Sequence, residues 1–248
     1  MNERHAKILE LINEHKKVEV TTLSNLLGVS QVTIRKDLIK LEENGMIIRE
    51  HGFATINDSD DIKIRLSNNY EIKQKIANRA AESVSNGETI MIESGSSCAL
   101  LALQIAKTKK DITLITNSAF IADYVRKVNN IKIILLGGEY QIESQVMVGP
   151  ITRKCAETFF VDKLFIGTDG FSKESGFTGN DYMRAETVSD MAKQANNVIV
   201  VTDSIKFSQK GVVSLIDTNK ISAVFTDSKI PNHIEKFLID NNINVVTI

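Results

Sequence analysis

Apolar residues recur at helical spacing in the first fifty positions and in short, β-branched runs thereafter. Ile8, Leu9, Leu11 and Ile12 form a stripe of helical period, which predicts a first helix. A short apolar patch follows at residues 18–20. Thr21 and Thr22 then offer N-caps for a second helix, which carries Leu23, Leu26 and Leu27 and stops at Gly28. Ser30 offers the cap of a third, whose apolar face is Ile34, Leu38 and Leu41 at i, i+4 and i+7. Asn44-Gly45 stops it. Residues 46–48 and 53–56 read as short strands about a turn at His51-Gly52.

Beyond the polar, acidic stretch 57–61 the pattern changes. Strand-like runs at 89–92, 112–115, 131–136, 164–166, 198–201, 223–225 and 244–246 alternate with helical segments such as 99–107 and 119–128. That alternation predicts an α/β fold: a largely parallel sheet with helices on both faces. The chain is therefore expected to hold a winged helix-turn-helix at 1–57, a linker at 58–73 and an α/β domain at 74–248. No solenoid-period repeat is visible.

Composition narrows the class. The 248 residues are 42% hydrophobic and 25% charged, as in an ordinary globular protein. A net charge of −1 excludes a uniformly basic nucleic-acid coat but leaves room for a local basic surface. Trp is absent, so Ile, Val and Leu must fill the core. The first fifteen residues are charged throughout, and no apolar run approaches the roughly 20 residues of a membrane helix. A cytoplasmic protein with no membrane partner is expected. Cys98 and Cys155 form no CxxC pair, and His5, His15, His51 and His233 are scattered. Neither a metal site, nor a disulfide, nor a cofactor is expected.

Two helices joined through a short turn containing Gly, the second strongly capped, make a helix-turn-helix pattern. Steps of about 100° per residue place Thr33, Arg35, Lys36 and Lys40 away from the apolar stripe of the third helix. A recognition helix needs this division, because it packs on its own domain while offering polar groups to the major groove. Gln31, Thr33 and Arg35 suit base edges. Ser30, Lys36 and Lys40 suit the phosphate backbone, and Thr22 joins the DNA-contact set from the second helix. Arg49 and His51 would belong to a wing. Residues 1–56 carry eight basic and eight acidic side chains, so the case rests on pattern rather than on net charge, and a winged helix that binds only protein is the competing reading.

In the α/β domain, small polar residues follow the ends of several expected strands. Glu93-Ser94-Gly95-Ser96-Ser97 leads into a helix, a layout that suits an anion through free N–H groups, hydroxyls and the helix dipole. Thr116-Asn117-Ser118, Gly137-Gly138, Gly167-Thr168-Asp169-Gly170 and Thr202-Asp203-Ser204 end other strands. Parallel sheets bind ligands at their carboxyl ends. A phosphate suits the Ser loop and Lys206, and Glu93 and Asp169 could take hydroxyls.

The run from Thr21 to Ala54 resembles the winged helix of DeoR-family bacterial transcriptional regulators, most specifically at Val29-Ser30-x-x-Thr33-Ile34-Arg35-Lys36-Asp37-Leu38, Leu41-Glu42 and His51-Gly52. It departs from the family in having Lys36 for a second arginine and Phe53 for a second wing glycine. The pieces IESGSSC, TNS, LLGGEY, VGP, IGTDGFS, GFTGND and DSIKF resemble the family's effector domain. Departures there are Glu93 for Asp, Ser97 for Thr and Ile205 for Ser. The resemblance implies a fold related to ribose-5-phosphate isomerase and sugar-phosphate deaminases, and a regulator of a carbohydrate operon, most simply a repressor. Double-stranded operator DNA and a phosphorylated sugar would be its partners, with a homodimer or homotetramer as the assembly. Glu186 and Lys206 then read as ligand contacts. The alternative is a sugar-phosphate isomerase or deaminase with an accessory DNA-binding domain. Against it, the acidic run of those isomerases is here Asp169-Gly170-Phe171-Ser172, which lacks the second carboxylate needed for proton transfer. No catalytic residue is assigned. A constitutive DNA binder whose second domain only oligomerises is a third reading.

Overall fold

The computed structural model describes residues 3–43, 46–50, 52–56, 61–128 and 131–248. Asn44-Gly45, His51 and all but the last residue of the expected acidic stretch lie outside the described residues. The chain divides into two compact units, Met1–Tyr70 and Glu71–Ile248.

The first unit contains α1 (Glu3–His15), β1 (Lys17–Glu19), α2 (Val20–Leu27), α3 (Gln31–Glu43), β2 (Ile47–Glu50), β3 (Phe53–Ile56) and α4 (Ile62–Ser67). β3 lies between β1 and β2, antiparallel to both. Ile8, Leu9 and Ile12 of α1, Leu23 of α2, and Ile34, Leu38 and Leu41 of α3 close one core with Ala54 of β3 and Ile64 of α4. Ile64 explains why this unit extends past the sequence-expected end at 57: α4 supplies part of its core.

Two of the helix boundaries follow the expected chemistry. Gly28 adopts the left-handed conformation, φ +65°, that closes α2, and the Ser30 hydroxyl accepts the Thr33 N–H at 3.2 Å at the start of α3. The α2 start differs. The helix begins at Val20 with Glu19 in the cap position and no side-chain cap, so Thr21 and Thr22 fall in its first turn. Burial of Val20 decides this, and the Thr21 hydroxyl turns back to the Glu19 carboxylate at 3.1 Å.

The second unit is built from α5 (Tyr70–Ala81), β4 (Thr89–Ile92), α6 (Ser96–Thr108), β5 (Ile112–Thr116), α7 (Ala119–Val125), β6 (Ile131–Leu135), the hairpin β7 (Glu139–Gln141) and β8 (Val146–Val148), and α8 (Pro150–Ala156). There follow β9 (Val161–Ile166), β10 (Gly170–Ser172), β11 (Gly176–Gly179), α9 (Tyr182–Ala192), β12 (Ala195–Val201), a 3-10 turn at Ser204–Ser208, β13 (Val213–Ile216), β14 (Ile221–Thr226), α10 (Asn232–Asp240) and β15 (Asn244–Thr247). All seven expected strands join one sheet in the order β15-β14-β12-β9-β4-β5-β6, and every neighbouring pair is parallel. From β4 the chain builds outward to β5 and β6. It then crosses to β9 on the other side and builds outward again. β4 and β9 therefore flank the point where strand order reverses, the place where open α/β sheets form a crevice.

Two small antiparallel elements have no counterpart in the sequence pattern: the β7–β8 hairpin and a sheet of order β10-β11-β13. The latter gathers Phe171, Phe177 and Phe207, with ring centroids 5.0 Å apart for the first pair and 5.8 Å for Phe171 and Phe207. No helix among the described residues is long and apolar enough to cross a membrane, and no group of His, Cys, Asp and Glu among them could hold a metal ion.

Candidate functional site

The polar face of α3 carries Gln31, Arg35, Lys36 and Lys40 exposed to solvent and Thr33 half-buried, opposite the buried Ile34, Leu38 and Leu41. Gln31 and Arg35 line one groove with Arg49, Gly52 and Phe53 of the β2–β3 wing and with Glu19 and Thr21. α3 and the wing thus present a shared surface. Thr22 and Ser30 are exposed but do not line that groove. Glu42 fixes the wing strand to the helix: its carboxylate accepts the Arg49 backbone N–H at 3.2 Å and the guanidinium at 3.3 Å. At the other side of α3, the buried Asp37 accepts two hydrogen bonds from Arg4 of α1, at 2.7 and 3.1 Å, and lies 3.0 Å from His5 Nε2. These contacts tie α3 to α1 and to the wing strand, with Arg35 and Lys36 exposed on its outer face.

Parallel strands all end at the same edge of the sheet, so the loops after β4, β5, β6, β9, β12 and β14 share one rim. Buried polar side chains concentrate there: Glu93, Ser94, Ser96 and Ser97 after β4, Thr116 to Ser118 at the end of β5, Thr168 after β9, Thr202 to Ser204 after β12, and Thr226 and Asp227 after β14. Burying polar groups costs free energy unless they are hydrogen-bonded, and most here are. The Ser94 hydroxyl donates to the Glu93 carboxylate. The Thr116 hydroxyl donates to the Glu93 carbonyl at 3.2 Å, and the Glu93 N–H donates to the Phe165 carbonyl of β9 at 2.9 Å. Asp227 holds the Ser204 N–H at 2.7 Å and its hydroxyl at 2.8 Å. Asn117 donates to the Met147 carbonyl at 3.0 Å, while its buried Oδ1 has no donor among the described residues.

Sequence reasoning missed the buried cation. Lys73 of α5 is 5% exposed, and its ammonium donates to the Ser96 hydroxyl at 3.0 Å and lies 3.9 Å from the Asp203 carboxylate. Ser96 opens α6, where free N–H groups and the positive end of the helix dipole already favour an anion. Lys73 stands three and four residues before the buried Ile76 and Ala77, which places it on the helix face that turns inward. That spacing was the signal available in the sequence.

The other expected residues fall in several places. Lys206 sits in the 3-10 turn after β12, half-buried, with its ammonium 3.1 Å from Gln209 Oε1. Asp169 follows β9, and its carboxylate accepts the Asn180 N–H at 3.1 Å. Gly170 opens β10 against the Gln209 backbone: a Cβ there would lie 2.5 Å from the Gln209 carbonyl oxygen, so close backbone approach accounts for this glycine. Gly138 is likewise pressed on Thr152 and Val148, whereas Gly137 has open space around it. Glu186 does not join the rim. It is exposed on α9 and lines a cleft with Arg153, Tyr182 and β13. Ser172, in place of a second acid, accepts the Ser175 N–H in the β10–β11 turn.

Residues 4–60 match the model of the DeoR-like helix-turn-helix domain, and residues 68–228 match that of the DeoR C terminal sensor domain. The chain belongs to the DeoR family. Among its relatives, the HTH-type transcriptional regulator GolR of Listeria innocua is 31% identical over 247 residues, covering 98% of this chain and 97% of that protein. A putative aga operon transcriptional repressor of Escherichia coli O157:H7 is 29% identical, covering 93% and 87%. The glycerol-3-phosphate regulon repressor of Escherichia coli K12 is 27% identical, covering 98% and 97%. Among solved structures, ribose 5-phosphate isomerase A of Methanocaldococcus jannaschii matches with a TM-score of 0.42 and 18% identity over 56% of this chain and 55% of that one. The full-length sorbitol operon regulator SorC of Klebsiella pneumoniae matches with a TM-score of 0.42 and 10% identity, covering 96% and 99%. As a DeoR-family member this chain is a DNA-binding transcriptional regulator and not an enzyme. Its α3 and wing lie within the helix-turn-helix domain, and the strand-end rim lies within the sensor domain.

Proposed function

We propose that this chain represses a carbohydrate-metabolism operon in the cytoplasm, and that a phosphorylated sugar held at the rim of the parallel sheet lowers its affinity for operator DNA. The observation that carries the reading is the buried Lys73 ammonium bonded to Ser96 at the start of α6. A cation, a hydroxyl and a helix N-terminus converge there, and a phosphate dianion complements all three. Ser94, Gly95 and Ser97 complete the phosphate loop. Glu93 and Asn117 stand beside it as acceptors for sugar hydroxyls. Relatives named as repressors of the aga operon and the glycerol-3-phosphate regulon support the same class of control. On the DNA side, Gln31, Thr33 and Arg35 read base edges, while Ser30, Lys36, Lys40 and Arg49 hold phosphates. A homodimer or homotetramer presents two recognition helices to half-sites one helical turn apart, or a multiple of it.

Titrating the protein against fluorescent DNA from immediately upstream of its own transcription unit, with and without a panel of sugar phosphates, tests this. Tight binding that one phosphosugar reverses is the expected result. Binding no tighter than to unrelated DNA, or tight binding that no panel member changes, counts against it. In the same assay Arg35→Ala should cost about 1–3 kcal/mol and relax specificity at one base pair.

A further inference from the structure

Lys73 is placed unusually for a ligand contact. It lies on α5, three residues beyond the boundary between the two compact units, on the first helix of the sensor domain. The preceding helix α4 belongs to the DNA-binding unit, where Ile64 is part of the winged-helix core. Only Asn68 and Asn69 separate the two helices. Asn68 closes α4 by donating its N–H to the Ile64 carbonyl at 3.3 Å, and Asn69 makes the turn in the left-handed conformation at φ +54°. Two residues reach at most about 7 Å when fully extended, so this connection has little slack. The buried face of α5, formed with Lys73 by Ile76, Ala77, Ala80 and Ala81, runs along the length of the helix.

From this we infer that the effector is sensed by the connector itself. Phosphate captured at Ser96 draws the Lys73 ammonium from its loose 3.9 Å approach to Asp203 into a charge-assisted bond, shifts α5, and through Asn68–Asn69 resets α4 and the winged helix it helps to build. The inference rests on the phosphosugar reading above and adds the route by which occupancy reaches the DNA. Its requirements are specific. Lys73 must contribute to phosphate affinity, and the short covalent connection must carry the coupling.

The test uses the full-length protein, calorimetry against inorganic phosphate, glycerol 3-phosphate, fructose 6-phosphate and galactosamine 6-phosphate, and the operator Kd with and without the phosphate ester that binds. Lys73→Met should weaken that ester about tenfold or more, the range of a lost charged hydrogen bond. A variant with four glycines inserted between Asn68 and Asn69 should keep ester affinity and lose the ester's effect on operator Kd. In the wild type the ester should alter amide hydrogen exchange across residues 62–81. Undiminished ester affinity in Lys73→Met, an unchanged effect on DNA in the insertion variant, or unaltered exchange over 62–81 would each overturn the connector route. The phosphosugar reading would survive the second and third of these outcomes. A wild type that binds none of the four probes would remove that reading and this inference with it.

Discussion

Asp37 shows how a single side chain can fix the setting of a whole helix, α3. It is 4% exposed on that helix, between the core residues Ile34 and Leu38, and it ties α3 to α1 through Arg4 and His5. Burial pushes its carboxyl up, but the hydrogen bonds from Arg4 and His5, with their charges, outweigh burial and hold it below the ordinary carboxylate value. A depressed folded-state pKa stabilises the fold above the unfolded value, near 4, and that contribution is lost as pH falls through the folded value. Asp37→Asn should therefore destabilise the protein by about 1.5–3 kcal/mol at neutral pH, with the difference shrinking in acid below about pH 4. Urea unfolding at pH 7 and pH 3 measures both quantities, and equal stability at pH 7 would show that the cluster does not hold the helix. The buried, partnered states of Asp37 and Lys73 escaped sequence analysis for one reason. Each occupies the inward face of an amphipathic helix, where only a partner from a distant segment makes a charge tolerable, and helical periodicity contains no information about distant partners. The exposure of Arg35 and Lys36 was legible because facing away from an apolar stripe is a local property.

Among the elements, strands buried on both faces were the easiest to recognise. Residues 198–201 are a continuous apolar run, and a run of that kind between helical segments has few structures open to it other than a central parallel strand. Since parallel strands end on one edge, the rim of small polar loops followed from the strand assignment alone. The β10-β11-β13 sheet was not legible. β10 and β11 have only three and four residues and begin with glycine, so each offers a single Phe, Phe171 or Phe177, between turn-forming residues and no apolar run. Their pairing depends on backbone approach at Gly170 and Gly211, whose added Cβ atoms would lie 2.5 and 2.4 Å from carbonyl oxygens of Gln209 and Gly179. The β7–β8 hairpin is likewise held from outside, by Asp181 at the cap of α9. That carboxylate accepts the Arg184 N–H at 2.8 Å and the Gln141 amide of β7 at 3.2 Å. Burial raises the Asp181 pKa, but these bonds and the Arg184 charge bring it below its ordinary value. Asp181→Ala should cost about 1 kcal/mol as a lost helix cap, and should raise amide exchange in both α9 and the hairpin. Faster exchange confined to the first turn of α9 would mean that Gln141 finds another anchor.

For the molecule as a whole, charge and linkage decide how the regulator can work. The winged helix carries as many acids as bases, but they are not distributed alike: Asp37 is buried against Arg4, and Glu42 is engaged with Arg49, while Arg35 and Lys36 remain on the exposed face of α3. Few phosphate contacts are then available, so binding to unrelated DNA should be weak and its salt dependence shallow. Lys36→Ala should lower the slope of log K against log salt by about one without changing the preferred sequence. Effector control requires that the phosphosugar bind the two conformations unequally, because equal affinity shifts nothing however tight it is. Linkage then fixes a quantity with no adjustable part. Whatever factor saturating phosphosugar adds to the operator Kd, saturating operator must add to the phosphosugar Kd, commonly about 5–150-fold. Measuring phosphosugar binding by calorimetry with and without a duplex operator, and operator binding by fluorescence with and without phosphosugar, gives both factors independently. Equal factors in one range place the sensor and reader in a single two-state equilibrium. A phosphosugar Kd indifferent to operator would mean that the rim binds its ligand without controlling DNA, and would leave the second unit as an oligomerisation domain.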